Sequence, residues 1–185
     1  MERSEGKSDQ NPRKKQPKIS HKAQIFLRIS ALLSSAISAC LMLTAHEEAL
    51  IYGLSMSAKF SYSPAFKFAA YVNVVASAFS LLSLGVAFVI IRRGNPINYY
   101  FVFLHDLVIM SLVLGGSAAA TAIGYVGKYG NSHAGWLPIC DHFTSFCNKV
   151  SASVILSYIS VTFFLLLAVI SAANSTYDRN VDEQI

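Results

Sequence analysis

The sequence predicts an all-α polytopic membrane protein, a four-transmembrane-helix bundle with both termini cytoplasmic. Three observations predict it. The chain of 185 residues has a mean hydropathy of +0.46, and only 14% of its residues are charged. The charges fall almost wholly outside four apolar runs, at about 25–44, 66–91, 99–123 and 150–173. Each run is long enough as a helix to cross a hydrocarbon core of about 30 Å. The basic residues are also distributed unevenly. Arg3, Lys7, Arg13, Lys14, Lys15, Lys18 and Lys22 precede the first run, and Arg92 and Arg93 lie in the short link between the second and third. The other two links carry Lys59, Lys128 and Lys149 beside Glu47, Glu48 and Asp141. The basic segments are expected inside and the mixed links outside. The net charge of +5 is therefore a topology signal, and no nucleic-acid partner is expected. What remains between the runs is too short for a soluble domain of ordinary size, so function must reside in the bundle, its loops or its tails.

Residues 1–24 form a basic cytoplasmic tail with no apolar periodicity, read as disordered. Its cluster Arg13-Lys14-Lys15 would attract anionic lipid at about 1 kcal/mol per cation; the plainer reading is that it only fixes topology. The first run has no small-residue cleavage site closing a short apolar region, so it reads as its own signal anchor. It contains Arg28, about 5 Å deep by helical rise, on a stripe with Ala31, Leu32, Ser35, Ala39 and Met42. Cys40 in the same run reads as packing. The link 46–65 is short and lacks cysteine. In the second run Ala69, Asn73 and Ser77 recur every four residues, a small polar seam suited to hydrogen bonding between helices. Gly94-Asn95-Pro96 then predicts a tight turn.

The third run organises the chain. It carries one acid, Asp106, which would cost about 2.5 to 3.5 kcal/mol near a helix centre and so needs a protein partner. At 100° per residue Asp106, Met110, Val113, Ser117, Ala120, Thr121 and Gly124 share one stripe, while Ser111, Gly115, Ala118, Ala119 and Ala122 share the opposite one. A helix small on both sides can pack on both sides, one within the bundle and one as an oligomer interface. The alternative is that Gly and Ala are simply frequent in membrane helices. Runs one and three enter from the same side, which brings Arg28 within reach of Asp106. An Arg28–Asp106 ion pair is the leading internal contact, with bidentate geometry available to the guanidinium. In the competing arrangement Arg28 snorkels to the headgroups and Asp106 pairs with His105, Asn98 or a serine.

The link 124–149 holds Gly124, Gly127 and Gly130 at three-residue spacing, then Asn131, His133, Trp136, Cys140, His142 and Cys147. No strand precedes the glycines, so they are not a phosphate loop; Gly127, Gly130, His133 and Trp136 are read as outer loop surface. In an oxidising compartment a disulfide between Cys140 and Cys147 is the default. A zinc site from His133, Cys140, His142 and Cys147 is the weaker reading, because paired C-x-x-C or H-x-x-x-H elements are missing. The last run has Ser151, Ser153, Ser157 and Ser160 in its first half and a Leu-rich second half, followed by a short polar cytoplasmic tail, 174–185. The one glycosylation pattern, Asn174-Ser175-Thr176, falls on the inner side by this topology.

No H-E-x-x-H helix, serine motif or reactive C-x-x-C is present, so the sequence predicts no enzyme, no cofactor and no bound metal. A small channel or proton-coupled transporter using Asp106, with His105 as relay, is the alternative to a structural role.

With these residues in view, the chain closely resembles the Casparian strip membrane domain protein-like (CASP-like) family of plants, four-span proteins related to the MARVEL group. The resemblance covers about 25–173. It rests on Arg28, Asp106, the segment from Ser63 to Phe68, and the stretch from Gly124 to Trp136 leading to Cys140 and Cys147. It implies a plasma-membrane protein that forms homodimers or higher homo-oligomers and hetero-oligomers with related members, a scaffold in the lipid bilayer that recruits extracellular wall-modifying enzymes. One feature departs from the family. Strip-building members share a longer aromatic and acidic signature in the first outer loop, and Ser55 to Ser63 does not resemble it.

Overall fold

A computed structural model describes residues 21–51, 53–93 and 99–182. The N-terminal tail up to residue 20, the Gly94-Asn95-Pro96 turn and Asn98 lie outside the described residues. Four long helices dominate: α1 (His21–Leu43), α2 (Pro64–Arg93), α3 (Tyr99–Tyr129) and α4 (Thr144–Asp182). All four are long and apolar enough to cross a membrane. Each packs mainly on its neighbours in sequence, and α4 closes the ring against α1.

The helices run beyond the apolar runs that signalled them. α3 does not stop at Ile123 but passes through Gly124 and Gly127 to Tyr129. Tyr125, Val126, Lys128 and Tyr129 carry the helix over those glycines. Gly130, at φ 70°, then ends it, with its N–H donated to Val126 O at 2.8 Å, a left-handed glycine cap. α4 starts at Thr144 rather than Val150 and continues to Asp182 rather than Ala173. At 39 residues it is about 58 Å long, well beyond a bilayer core. Its first turns are amphipathic, with Phe146 and Val150 buried and the polar residues outside.

The link between α1 and α2 folds as an antiparallel hairpin, β1 (His46–Ile51) and β2 (Leu54–Lys59). Its two-residue connection includes Gly53 at φ 79°. Glu47, Ala49 and Ile51 share the face turned toward the bundle, where Ala49 and Ile51 pack on a cluster that includes Phe66, Phe143, Phe146 and Val150. The hairpin is tied down at α4 as well. The Glu47 carboxylate accepts the Phe146 N–H at 2.7 Å, so an acid from another element caps the first turn of the helix. A second apolar cluster, Ala31, Ala76, Ile109, Val113, Phe164 and Leu167, fills the bundle farther from the hairpin.

Candidate functional site: the buried polar core and the outer loop

Between the apolar clusters the helices are joined by hydrogen bonds from small polar residues. Ser38 of α1 and Ser153 of α4 each donate to the other's backbone carbonyl at 2.8 Å. Asn73 of α2 donates its amide to Ser157 Oγ of α4 at 2.9 Å, and Ser157 Oγ lies 2.7 Å from Ser117 Oγ of α3. Three helices thus meet at one serine. With no hydrophobic drive between helices in lipid, small side chains that bring backbones close and satisfy one another supply the specificity of such a bundle.

Arg28 and Asp106 come together nearer the end of the bundle where α1 and α3 begin. Arg28 is 5% exposed and Asp106 0%. The two guanidinium Nη atoms donate to the two carboxylate oxygens at 3.1 and 2.9 Å, a bidentate fork. Arg28 Nη1 also donates to Ser83 Oγ of α2 at 2.8 Å, and His105 Nδ1 lies 3.1 Å from Asp106 Oδ1. The contacts that the sequence set against each other occur together: Asp106 holds Arg28 and meets His105. Arg28 does not snorkel, because its charge is spent inside. Ser83 as a third member was not foreseen, and no spacing rule singles it out from the other serines of α2.

The two small stripes of α3 have different fates. Val113, Ser117 and Ala120 are buried with Asp106, whereas Ser111, Gly115, Ala118 and Ala122 are exposed on the outside of the bundle and Ala119 is half-buried. The glycine that packs within the bundle is Gly116. A Cβ there would lie 2.6 Å from Val72 Cγ2 and 3.2 Å from Ala69 Cα of α2. At Gly115 it would meet nothing within 4 Å.

The link from α3 to α4 is a built structure. Asn131 and Trp136 exchange backbone hydrogen bonds at 2.8 and 3.0 Å, and the Asn131 side chain accepts the N–H groups of His133 and Ala134. Gly135 turns the chain at φ 68°. A Cβ on Gly130 would lie 2.6 Å from Trp136 O. Gly127 O accepts the N–H of Ile139 at 2.9 Å, which fastens the returning chain onto α3. Cys140 and Cys147 are joined by a disulfide, with Cα atoms 5.7 Å apart. Both sulfurs are thereby withdrawn from the zinc set considered above. Of the four residues read as outer loop surface, His133 and Trp136 are exposed, while Gly127 and Gly130 shape the backbone that presents them. Beside this loop a cleft of about 1110 Å³ opens between α3 and α4, lined by Gly127, Trp136, Leu137, Ile139, Phe146 and Val150 among others.

The comparisons agree with this architecture. A family model described as Casparian strip membrane protein domain matches residues 17–163. "CASP-like protein 1F2" of Populus trichocarpa is 51% identical over 172 residues, 92% of this chain and 95% of the relative. "CASP-like protein 1F1" of the same species is 46% identical over 176 residues, 95% of this chain and 97% of the relative. No solved structure matches the chain. A four-span bundle matched by the family model over most of its length, with full-length plant relatives at this identity, belongs to the Casparian strip membrane protein family as a CASP-like member.

Proposed function

We propose that the protein is a non-enzymatic plasma-membrane scaffold with both termini in the cytoplasm. Its copies associate laterally with one another and with related family members, organise a membrane domain, and offer the outer loop to cell-wall-modifying partners. One observation carries this reading. α3 has two small faces, and the bundle uses only one; the face of Ser111, Gly115, Ala118 and Ala122 is left bare. In lipid such a face allows a second helix to approach closely, while a bulky apolar face would be equally content against acyl chains. The stapled loop supports the outward-facing part of the reading, since its backbone is fixed while His133 and Trp136 stay exposed.

The test is lateral mobility of the fluorescently tagged protein by photobleaching in plant plasma membrane. Slow recovery confined to patches is the expected result; fast, uniform recovery would overturn it. The competing reading, a channel or proton-coupled transporter using Asp106, has less behind it. Both oxygens of that carboxylate are engaged by Arg28. Proton or ion flux through reconstituted protein that disappears with Asp106→Asn would restore it.

A further inference from the structure

We propose that the α3–α4 cleft is a binding site for a zwitterionic phospholipid of the leaflet that meets the loop end of the bundle, with Lys128 taking the phosphate and Asp141 the ammonium. A lipid held here would tie the stapled loop to the bilayer surface, whether or not copies of the protein associate. The height of the cleft is the first argument. Its α3 wall runs from Ile123 to Tyr129 and its α4 wall from Thr144 to Ser151. Both belong to helices long and apolar enough to span, Tyr100–Tyr129 and Thr144–Thr176. The first of these is about 45 Å long against a hydrocarbon core of about 30 Å, so its last turns stand in the headgroup layer. The cleft covers about 9 Å there, from the headgroups down to the top of the acyl chains. Leu137 on its loop wall is 83% exposed, with Trp136 and Ile139 exposed beside it. Tryptophan and large apolar side chains are at home at that level against lipid.

Charge names the headgroup. Two charged residues line the cleft, Lys128 on α3 and Asp141 on the returning loop, and both are exposed. Among the described residues neither enters an ion pair, with the other or with anything else; Lys128 Nζ rests 5.4 Å above the Tyr129 ring. One cation and one anion on a single hollow complement a ligand that carries both signs. An anionic headgroup would gain Lys128 and be repelled by Asp141, and a cationic amphiphile the reverse. On the loop wall Trp136 adds an aromatic face, which also favours an ammonium. The space itself comes from missing side chains. Gly124 and Gly127 stand one turn apart on the α3 wall, and a Cβ on Gly124 would meet nothing within 4 Å. At about 1110 Å³ the hollow is large enough for a headgroup together with the upper part of its chains. Phe66, Phe146 and Val150 give the chains an apolar wall.

Trp136 lines the cleft and is the single tryptophan of the chain, so its fluorescence reports the site directly. The test is quenching of that emission in the full chain, purified in detergent, by phosphatidylcholine or phosphatidylglycerol carrying the same brominated acyl chains. Saturable quenching is expected with both, at about two- to fivefold lower phosphatidylcholine than phosphatidylglycerol, the size of one exposed charge pair. Asp141→Asn should remove the preference, and Lys128→Gln should weaken both lipids. These side chains are exposed, so thermal unfolding should be unchanged. Gly124→Leu puts a side chain into the hollow at a helical position and should abolish the saturable phase. Equal quenching by the two lipids would mean ordinary annular contact and would overturn the proposal. So would a preference that survives Asp141→Asn, or a saturable phase that survives Gly124→Leu. Emission that neither lipid quenches and that shifts with protein concentration would assign the cleft to a second copy and overturn it as well.

Discussion

Gly115 and Gly116 are adjacent in sequence and opposite in surroundings: a Cβ on Gly116 would press into Val72 at 2.6 Å, and one on Gly115 would enter open space. One residue thus sets the distance between α3 and α2, while its neighbour faces outward. Substitution separates the two roles. Gly116→Ala forces backbone or Val72 movement and should cost about 1 to 3 kcal/mol, the range for an overpacked core. Thermal unfolding of purified protein in detergent, with surface expression alongside, reads that loss. Gly115→Ala should be silent in both.

Gly115→Leu should fold normally and still matter. A bulky side chain on the bare face blocks backbone approach without touching the bundle. Photobleaching recovery should become faster than wild type, and unchanged recovery would remove this face from the assembly.

The Arg28–Asp106 fork is an all-or-nothing contact. Asp106→Ala leaves a guanidinium buried beside Ser83 with no counter-charge, and breaking a buried pair from one side costs about 3 to 5 kcal/mol. Surface expression should fall sharply. The double variant Arg28→Met plus Asp106→Leu should recover much of it, because an apolar pair of similar volume avoids the desolvation of both charges. Failure of the double variant to exceed Asp106→Ala would show that the fork is required for more than neutralising charge.

How much of this was legible follows from what each signal measures. Apolar runs show where lipid would be, so the four spans could be read directly, while the amphipathic turns from Thr144 to Lys149 and the aromatic end of α3 could not. The Arg28–Asp106 contact was legible because two charges inside apolar runs demand an explanation. Ser83 was not, because hydropathy gives a serine no address. The hairpin has a weak signal: Ala49 to Ile51 and Leu54 to Ala58 flank a Tyr52-Gly53 pair, and a two-residue connection ending in glycine between strand-length segments is a turn signature. The face of α3 that would turn inward was legible from the phase of Asp106. Which of its two adjacent glycines would meet α2 depended on the width of Val72 and had no sequence signal.

The serine and asparagine contacts at the centre of the bundle should be individually small. Asn73→Ala, Ser157→Ala and the double variant form a cycle whose coupling is expected near 0.6 kcal/mol, with about 1.7 as a ceiling for side-chain hydrogen bonds in membrane bundles. Ser157 also meets Ser117 and Asn73 also donates to Ala69 O at 2.8 Å, so the Ser117 contact is read by its own cycle, Ser117→Ala with Ser157→Ala, where a coupling is expected in the same range. Zero coupling there would show that the Ser117 contact adds nothing.

The disulfide and Glu47 act on the same end of α4, and their effects should be separable. Cys147→Ser opens the small loop from Cys140, and native disulfides typically contribute about 2 to 4 kcal/mol, acting here on the loop and not the spans. Limited proteolysis from the loop side should therefore cut near 130–143 far faster, while the four spans remain protected. Glu47→Gln keeps an acceptor for the Phe146 N–H but removes the charge, so only the interaction with the helix terminus weakens, by about 0.3 to 1 kcal/mol. Glu47→Ala removes the acceptor too and should release the hairpin from α4, detected as faster amide exchange along β1 and β2. If Glu47→Ala and Glu47→Gln exchange alike, the hydrogen bond contributes little and packing of Ala49 and Ile51 alone fixes the hairpin.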